Sequence, residues 1–449
     1  MKPTWKSALF AMAALVLLAA PAGAQGPDAA KLKELTRIIE QQQKMIEAQA
    51  RTLEALKTQV EALRTVTQAN KAAMTATTEK VAKTTEQVQQ VVRQVEQADT
   101  PPKMVTSSSD KVKLAISGQV NRALMLAGDG EQTDLFHVDN DHSSTRVRFV
   151  GTGKPNEDVT VGAQVEVQFE SNSSSSVDQN NENNDVTTNS FTERKLELYF
   201  DHKKYGRLWL GQGETASDGT SHVDLSGTGL IAYSGIHDLA GSLLFRNSAT
   251  NALTAIEIAD AYDDIDGLSR DDRIRYDSPT FEGFKLSLSH VQGGENDYAL
   301  RYSGQWGDFK TAAAAAWANI ASTSTSTDFQ TNASGSALHV PTGFSLTLAG
   351  GQAHAKAAGR ANPTFFYGKI GYQKKLFEVG NSYFSIDYGF SNDRAQNDDE
   401  FQTIGVAAVQ KIDAWGTELY VAIRNHQMNR SGIQLDDINV GMVGARVKF

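Results

Sequence analysis

Thr145-Arg146-Val147-Arg148-Phe149 and Lys195-Leu196-Glu197-Leu198-Tyr199-Phe200 alternate charged and apolar side chains with a period of two, the pattern of strands with one greasy face. Val112, Leu114 and Ile116 alternate in the same way with Lys113, Ala115 and Ser117. Further segments of this kind run over 157–170, 205–213, 271–278, 281–291, 297–306, 308–320, 343–354, 364–375, 381–391, 400–411, 414–425 and 437–449, which makes fifteen. Single-chain transmembrane barrels have even strand numbers, so the pattern predicts one further strand and an all-β transmembrane barrel of about 16 antiparallel strands.

Which face is polar decides between this barrel and a secreted β-sandwich. The non-apolar face carries Arg146, Arg148, Lys195, Glu197, Arg207, Arg273, Arg275, Lys285, Arg301, Lys369, Asp387, Glu418 and Arg424, too many charges for a soluble core. With the apolar face against lipid, those charges line water. Short turns such as Tyr205-Gly206 and Asp413-Ala414 alternate with long polar connections, Ser171 to Ser190, Ser322 to Ser336 and Asn392 to Glu400. That asymmetry fits a barrel with its turns inside the cell and its loops outside.

Composition excludes several classes. The 449 residues contain no cysteine, so there is no disulfide, thiolate metal site or cysteine nucleophile. A net charge of −10 argues against a nucleic-acid partner, which needs a broad basic face. Past residue 20 no apolar run approaches the ~18 residues of a membrane-spanning helix.

The first segment is read as a signal peptide over 1–24: Lys2 and Lys6, then apolar Ala8 to Ala20, then small Ala22-Gly23-Ala24. Residues 25–98 are predicted to be a coiled-coil helix. One seam row reads Leu32, Ile39, Ile46, Leu53, Val60, Thr67, Met74, Val81, Val88, Val95, and the other reads Leu35, Gln42, Gln49, Leu56, Leu63, Asn70, Thr77, Thr84, Val91. A strict 3.5-residue repeat brings helices together in a supercoil, though the polar seam positions leave the number of chains open. Pro101 and Pro102 stop the pattern, and 99–110 is a linker.

The remainder resembles the Gram-negative outer-membrane general diffusion porins over residues 111–449. Lys111-Val-Lys-Leu-Ala-Ile-Ser-Gly118 resembles the opening strand of that family, and Tyr205-Gly-Arg-Leu-Trp-Leu-Gly211-Gln the strand leading into its constriction loop. Arg270-Asp-Asp-Arg-Ile-Arg-Tyr276-Asp-Ser-Pro279-Thr-Phe281-Glu-Gly283-Phe284 is similar to the turn between its sixth and seventh strands. Phe449, with Val447, Ala445 and Val443 alternating behind it, resembles the family's assembly signal. Gln212 and Asp272-Arg273 depart from the family pattern, which usually has Arg and Asn-Ser there.

The resemblance implies a homotrimer in outer-membrane lipid, inserted by the barrel-assembly machinery, with a loop at about 213–269 folded into the barrel. That stretch holds Glu214, Asp218, Asp224, Asp238, Glu257, Asp260, Asp263, Asp264 and Asp266 against Arg246 alone. Arg146, Arg148, Lys195, Arg207, Arg273 and Arg275 would face it from the wall. Of the acids, Glu214, Asp218, Asp224, Asp238 and Asp260 are expected at the constriction. Acids opposite bases select ions by summed charge and admit polar solutes by size, so the expected function is passive diffusion with a mild cation preference. A second reading is a structural tether whose coil spaces the outer membrane from the wall polymer, peptidoglycan. Neither reading needs catalysis, a cofactor or a metal. Asp264, Asp266 and Gly267 fail as a calcium loop because Tyr262 and Arg273 hold the terminal ligand positions. Gly151-Thr-Gly153-Lys154 fails as a phosphate loop because Pro155 follows.

Overall fold

The computed structural model describes Arg37, residues 112–183 and residues 191–449. The signal peptide (1–24), linker (99–110) and, Arg37 apart, coiled coil (25–98) read from the sequence lie outside the described residues. From Val112 onward the chain is built of antiparallel strands: β1 (Val112–Gly128), β2 (Thr133–Asp139), β3 (Arg146–Gly153), β4 (Val159–Phe169), β5 (Phe191–His202) and β6 (Gly206–Glu214). A two-stranded hairpin follows, β7 (Leu244–Asn247) and β8 (Ala252–Glu257). The sheet resumes with β9 (Arg270–Asp277), β10 (Phe284–Val291), β11 (Asn296–Trp306), β12 (Phe309–Asn319), β13 (Thr327–His339) and β14 (Phe344–Ala355). It ends with β15 (Thr364–Phe377), β16 (Gly380–Asn392), β17 (Glu400–Ile412), β18 (Thr417–Asn429) and β19 (Ile438–Lys448).

Apart from β2, which lies in line with β3, each sheet strand pairs with the next one, and β19 pairs with β1 from Gln119↔Lys448 to Gly128↔Asn439, which closes the barrel. β2 and β3 share one position in the wall. β1 pairs with β3 along its first half and with β2 along its second, with residues 140–145 as an inward break between them. Counted that way, the wall has sixteen strands, as the sequence predicts.

The strand missing from the sequence reading is β13. Its first ten residues fall in Ser322 to Ser336, expected above as a polar connection and here a strand from Thr327 onward. Its inner face is Asn332, Ser334, Ser336 and Leu338, and between Phe329 and His339 its outer face holds only Thr331, Ala333, Gly335 and Ala337. With small residues on both faces, no contrast of hydrophobicity marks the period.

Large apolar side chains face outward on nearly every strand, among them Leu196, Leu198, Phe200, Leu210, Leu286, Leu346, Ile370 and Ile423. No helix among the described residues is long and apolar enough to cross a membrane. The outward apolar side chains give the closed wall the kind of surface that transmembrane barrels turn to lipid.

The interior is not uniformly polar, which corrects the expectation that the inward face lines only water. The segment between β6 and β9, residues 215–269, folds inside and carries its own apolar core: Ile236, Leu239, Leu243, Phe245, Ile258 and Tyr262. These pack on inward Met125, Phe136, Val138, Phe365, Tyr367, Phe401, Ile438 and Met442 of the wall. Burying each large apolar side chain is worth about 1.5–3 kcal/mol. The loop is therefore a packed element and not a loose strand of chain.

Candidate functional site

The inward loop is moored by its backbone. At its root the Arg273 Nε donates to Glu214 O (2.9 Å) and Arg275 Nη1 to Thr215 O (2.7 Å). The next two amides, Ala216 and Ser217, donate to the buried Asp297 carboxylate of β11 at 3.3 and 2.7 Å. Further along, Val223 N donates to Ser334 Oγ and Leu225 N to Ser336 Oγ, both at 3.0 Å. Ser334 Oγ donates in turn to Thr220 O (2.6 Å), and Asn332 Nδ2 to Ile265 O (2.7 Å). The small hydroxyls and amides that hid β13 in the sequence are thus seats for the backbone of the loop.

The mouth end of the loop is clamped as well. Arg246 of β7 reaches Asp129, in the turn between β1 and β2, through two hydrogen bonds at 3.2 and 2.7 Å, both side chains being buried. Gln179 donates to Leu244 O and accepts from Leu244 N (2.8 and 3.0 Å). Arg246→Ala removes both charged hydrogen bonds and leaves Asp129 short of partners, a cost of about 2 kcal/mol. The expected outcome is a looser β7–β8 hairpin, read as faster hydrogen exchange over 244–257 with the barrel still folded.

What the loop leaves open is a cavity of about 1210 Å³ along the β3, β5, β18 and β19 side of the lumen. Its walls carry ten carboxylates (Asp141, Glu193, Glu214, Asp218, Asp224, Asp238, Asp263, Asp264, Asp266 and Glu418) against seven bases (Arg146, Arg194, Arg270, Arg394, Lys411, Arg446 and Lys448). The acids are concentrated on the loop. The bases cluster opposite, where Arg446 Nη1 and Arg146 Nη2 both reach Ser143 Oγ at 2.6 and 3.3 Å and Arg194 Nη1 reaches Ser144 Oγ at 3.5 Å.

Of the acids expected at the constriction, Glu214, Asp218, Asp224 and Asp238 line the cavity, and Asp260 does not. Asp260 instead accepts from Glu257 N (3.3 Å) in the capping box of the one-turn helix Ile258–Ala261. Glu214 pairs with Lys195 (2.6 Å) and Asp218 lies 3.7 Å from Arg270. Asp224 is spoken for by the buried Lys369 of β15 at 2.7 Å. Of the expected wall bases, only Arg146 lines the cavity. Arg148 is paired with Glu166, Arg207 with Asp201 (2.5 Å), and Arg273, buried, with Glu197. Arg275 is held by Asp277 at 2.9 Å. Lys195, Arg273 and Arg275 therefore support the loop's root, while Arg194, Arg446 and Lys448, which the sequence reading passed over, furnish the basic face. Arg446 and Lys448 were legible as the inward positions of the final alternating strand.

Three histidines add to the loop face. His222 and His142 meet Tyr233 edge-on at 4.6 and 4.9 Å, and His237 lies 3.4 Å from Asp238. Burial opposes a charged His222, but Asp266 and Asp264 beside it prevail and raise it to about 10. Burial likewise raises Asp238 to about 6, against the pull of His237. Asp266 is also raised to about 6, by burial and by neighbouring Asp264, despite His222. Among the described residues no His, Asp or Glu cluster has the arrangement of a metal site. The site can bind and sort ions in water.

A family model described as Gram-negative porin matches residues 95–431. No curated protein sequence matches the chain. Among solved structures, the anion-selective porin from Comamonas acidovorans superposes with a TM-score of 0.52 at 14% identity, covering 76% of this chain and 100% of that one. OmpT (in-vitro folded), an outer membrane protein of Vibrio cholerae, superposes with a TM-score of 0.50 at 12% identity, covering 77% and 99%. At such identities the likeness is one of fold.

Proposed function

This chain belongs to the Gram-negative porin family, and from that membership we propose that it is an outer-membrane channel for passive diffusion of ions and small hydrophilic solutes, with a mild preference for cations. The observation that carries the preference is the lining itself, ten carboxylates against seven Lys and Arg side chains around one water-accessible cavity. Summed charge sets the sign of ion selection, and the near balance keeps it mild. The likeness to an anion-selective porin bears on the fold alone, because the lining charges belong to this chain.

The test is a reversal potential across a planar bilayer under a salt gradient. A cation sign is expected, and Asp218→Asn together with Asp238→Asn moves it toward zero. An anion sign in the unaltered protein overturns the proposal. Asp224 is left out of this pair because its charge is already matched by Lys369.

Acidity gives a second readout. Asp238 and Asp266 are each raised to about 6, so both are mostly charged at pH 7 and mostly protonated at pH 5. His222, raised to about 10, stays positive throughout. Lowering the pH from 7 to 5 therefore removes negative charge from the loop without adding positive charge at His222. Cation preference is expected to fall over that window, and a preference that grows would contradict it.

The wider assembly is proposed in the same terms: three copies of the chain, no cofactor and no catalysis. Val112 pairs with Gly153, just before the short turn 154–158, so the N-terminal segment joins the barrel at its turn side. With turns facing the periplasm, the heptad-bearing residues 25–98 belong there, within reach of peptidoglycan.

A further inference from the structure

The one-turn segment Asp141–Ser143 lies in the inward break between β2 and β3, and its two ends carry unmatched charge of opposite sign. At the first end Asp141 N donates to Ser174 Oγ (3.1 Å) and Ser174 Oγ to Asp238 O (2.7 Å), so one hydroxyl draws two acids together. Asp141 accepts from Ser175 Oγ (2.5 Å) and Asp238 from the Tyr233 hydroxyl, with His237 at 3.4 Å. Among the described residues no Lys or Arg pairs with either carboxylate.

At the other end five bases share two carboxylates. Arg146, Arg148 and Arg194 gather on Glu166, and Arg446 and Lys448 on Glu418. Arg146 is the one left over, because its Nη1 stands 3.9 Å from a Glu166 that Arg148 and Arg194 already hold. Its Nη2 reaches Ser143 Oγ at 3.3 Å, where Arg446 Nη1 (2.6 Å) and Gln119 Nε2 (2.9 Å) donate as well. Three donors thus converge on an oxygen with two lone pairs, and the longest contact is that of Arg146.

Two backbone steps of ~3.8 Å hold the Cα atoms of Asp141 and Ser143 within ~7.6 Å of each other. Asp141, Ser143, Arg146, Asp238 and Arg446 all line the one cavity. A solute that meets only one end leaves the charge of the other to water. A solute with an ammonium and a carboxylate a few bonds apart meets both, each through charge-assisted hydrogen bonds. We infer that the turn Asp141–Ser143 is a seat for small zwitterions, amino acids and short peptides, with the ammonium at Asp141 and Asp238 and the carboxylate at Arg146 and Arg446. The inference rests on the channel reading above and names its solute class. It goes beyond sorting by summed charge, because a zwitterion has no net charge to be sorted by.

The test is single-channel current through the full chain in a planar bilayer at pH 7, where Asp238 is mostly charged, with glycylglycine, N-acetylglycine or glycinamide added at constant ionic strength. Glycylglycine carries both charges and each of the others only one. It is expected to reduce the current saturably, with a half-effect concentration about tenfold below that of either control, as one extra charge-assisted contact gives. Arg146→Gln and Asp238→Asn, made singly, are each expected to raise that concentration about tenfold. Lys411→Gln removes the same positive charge from the cavity wall on β17, outside the turn, and is expected to leave it within about twofold.

N-acetylglycine as effective as glycylglycine would make this a plain anion site, and glycinamide as effective a plain cation site; either result overturns the inference. So does a current that no solute reduces saturably, or a shift with Lys411→Gln as large as with Arg146→Gln. Heat-modifiable migration and the salt-gradient reversal potential, read on the same preparations, keep the two readings apart. A parent that forms no channel takes the channel reading down together with this inference. A parent that conducts with the expected cation sign and ignores all three solutes leaves the channel standing and removes only the seat.

Discussion

Deleting Phe449 is expected to lower the amount of heat-modifiable barrel in the outer membrane steeply. Phe449 N donates to Gly118 O at 3.0 Å and Gly118 N to Phe449 O at 2.9 Å, so the terminal residue forms the last rung of the seam between β19 and β1. Its ring lies over Gly118, where a Cβ would sit 2.5 Å from Phe449 Cζ and 2.9 Å from Arg146 O. Loss of the two rungs costs about 1–3 kcal/mol, and the contact of the ring with Gly118 goes with them. Gly118→Val separates closure from recognition by the assembly machinery, because it spoils the same seam while leaving the C-terminal sequence intact. If closure is what matters, Gly118→Val lowers the folded band nearly as far as the deletion. Normal folded levels for Gly118→Val would assign the role of Phe449 to recognition alone.

Asp224→Asn is expected to unseat the inward loop instead of merely changing its charge. The Lys369 Nζ has no exposure and donates to Asp224 Oδ2 at 2.7 Å and to Ala232 O at 2.8 Å, both on the loop. Asp224 also accepts from Ser226 N at 2.9 Å and from Thr347 Oγ1 at 3.1 Å. Neutralising it leaves a buried ammonium without its counter-charge, and breaking a buried ion pair from one side costs about 3–5 kcal/mol. The expected readout is a larger and noisier conductance, with a lower temperature of loss for the folded band. Lys369→Met with Asp224→Asn removes both charges and should recover most of the quiet, smaller conductance. An Asp224→Asn channel as quiet as the parent would show that the pair does not hold the loop.

The contrast between Asp218 and Asp224 shows where sequence reading runs out. Both are acids in one polar loop, and nothing in their neighbours along the chain tells a loosely paired lining charge from a tightly paired anchor. Their partners lie far off in sequence: Arg270 for one and Lys369 for the other. The same limit applies to Arg273 and Arg275, inward by alternation yet turned into supports for the loop's root. Alternation tells which face a side chain takes, and only the closed wall tells what stands in front of it.

The barrel was legible wherever one face is large and apolar and the other charged, as at Lys195 to Phe200. It was illegible at β13, whose faces are both small, and along the second half of β1, where Ala123-Leu124-Met125-Leu126 is apolar on both faces. That second failure has a physical cause worth reading forward: inward Met125 faces the loop's apolar core and not water. A stretch apolar on both faces in an otherwise alternating barrel marks where something is packed inside.

The seats that Ser334, Ser336, Asn332 and Asp297 offer the loop take hold of peptide N–H and C=O groups, which every residue except proline supplies alike. Mounting and filtering are therefore separately heritable. Cavity side chains that hold none of the loop's backbone, His222 among them, can be exchanged in descendants of this protein without emptying a seat, whereas Asp266 accepts from Gly219 N and Ser221 N at 2.7 and 2.8 Å and is part of the frame. A lineage can retune what its outer membrane admits by point substitution, one charge at a time, and keep the same frame throughout.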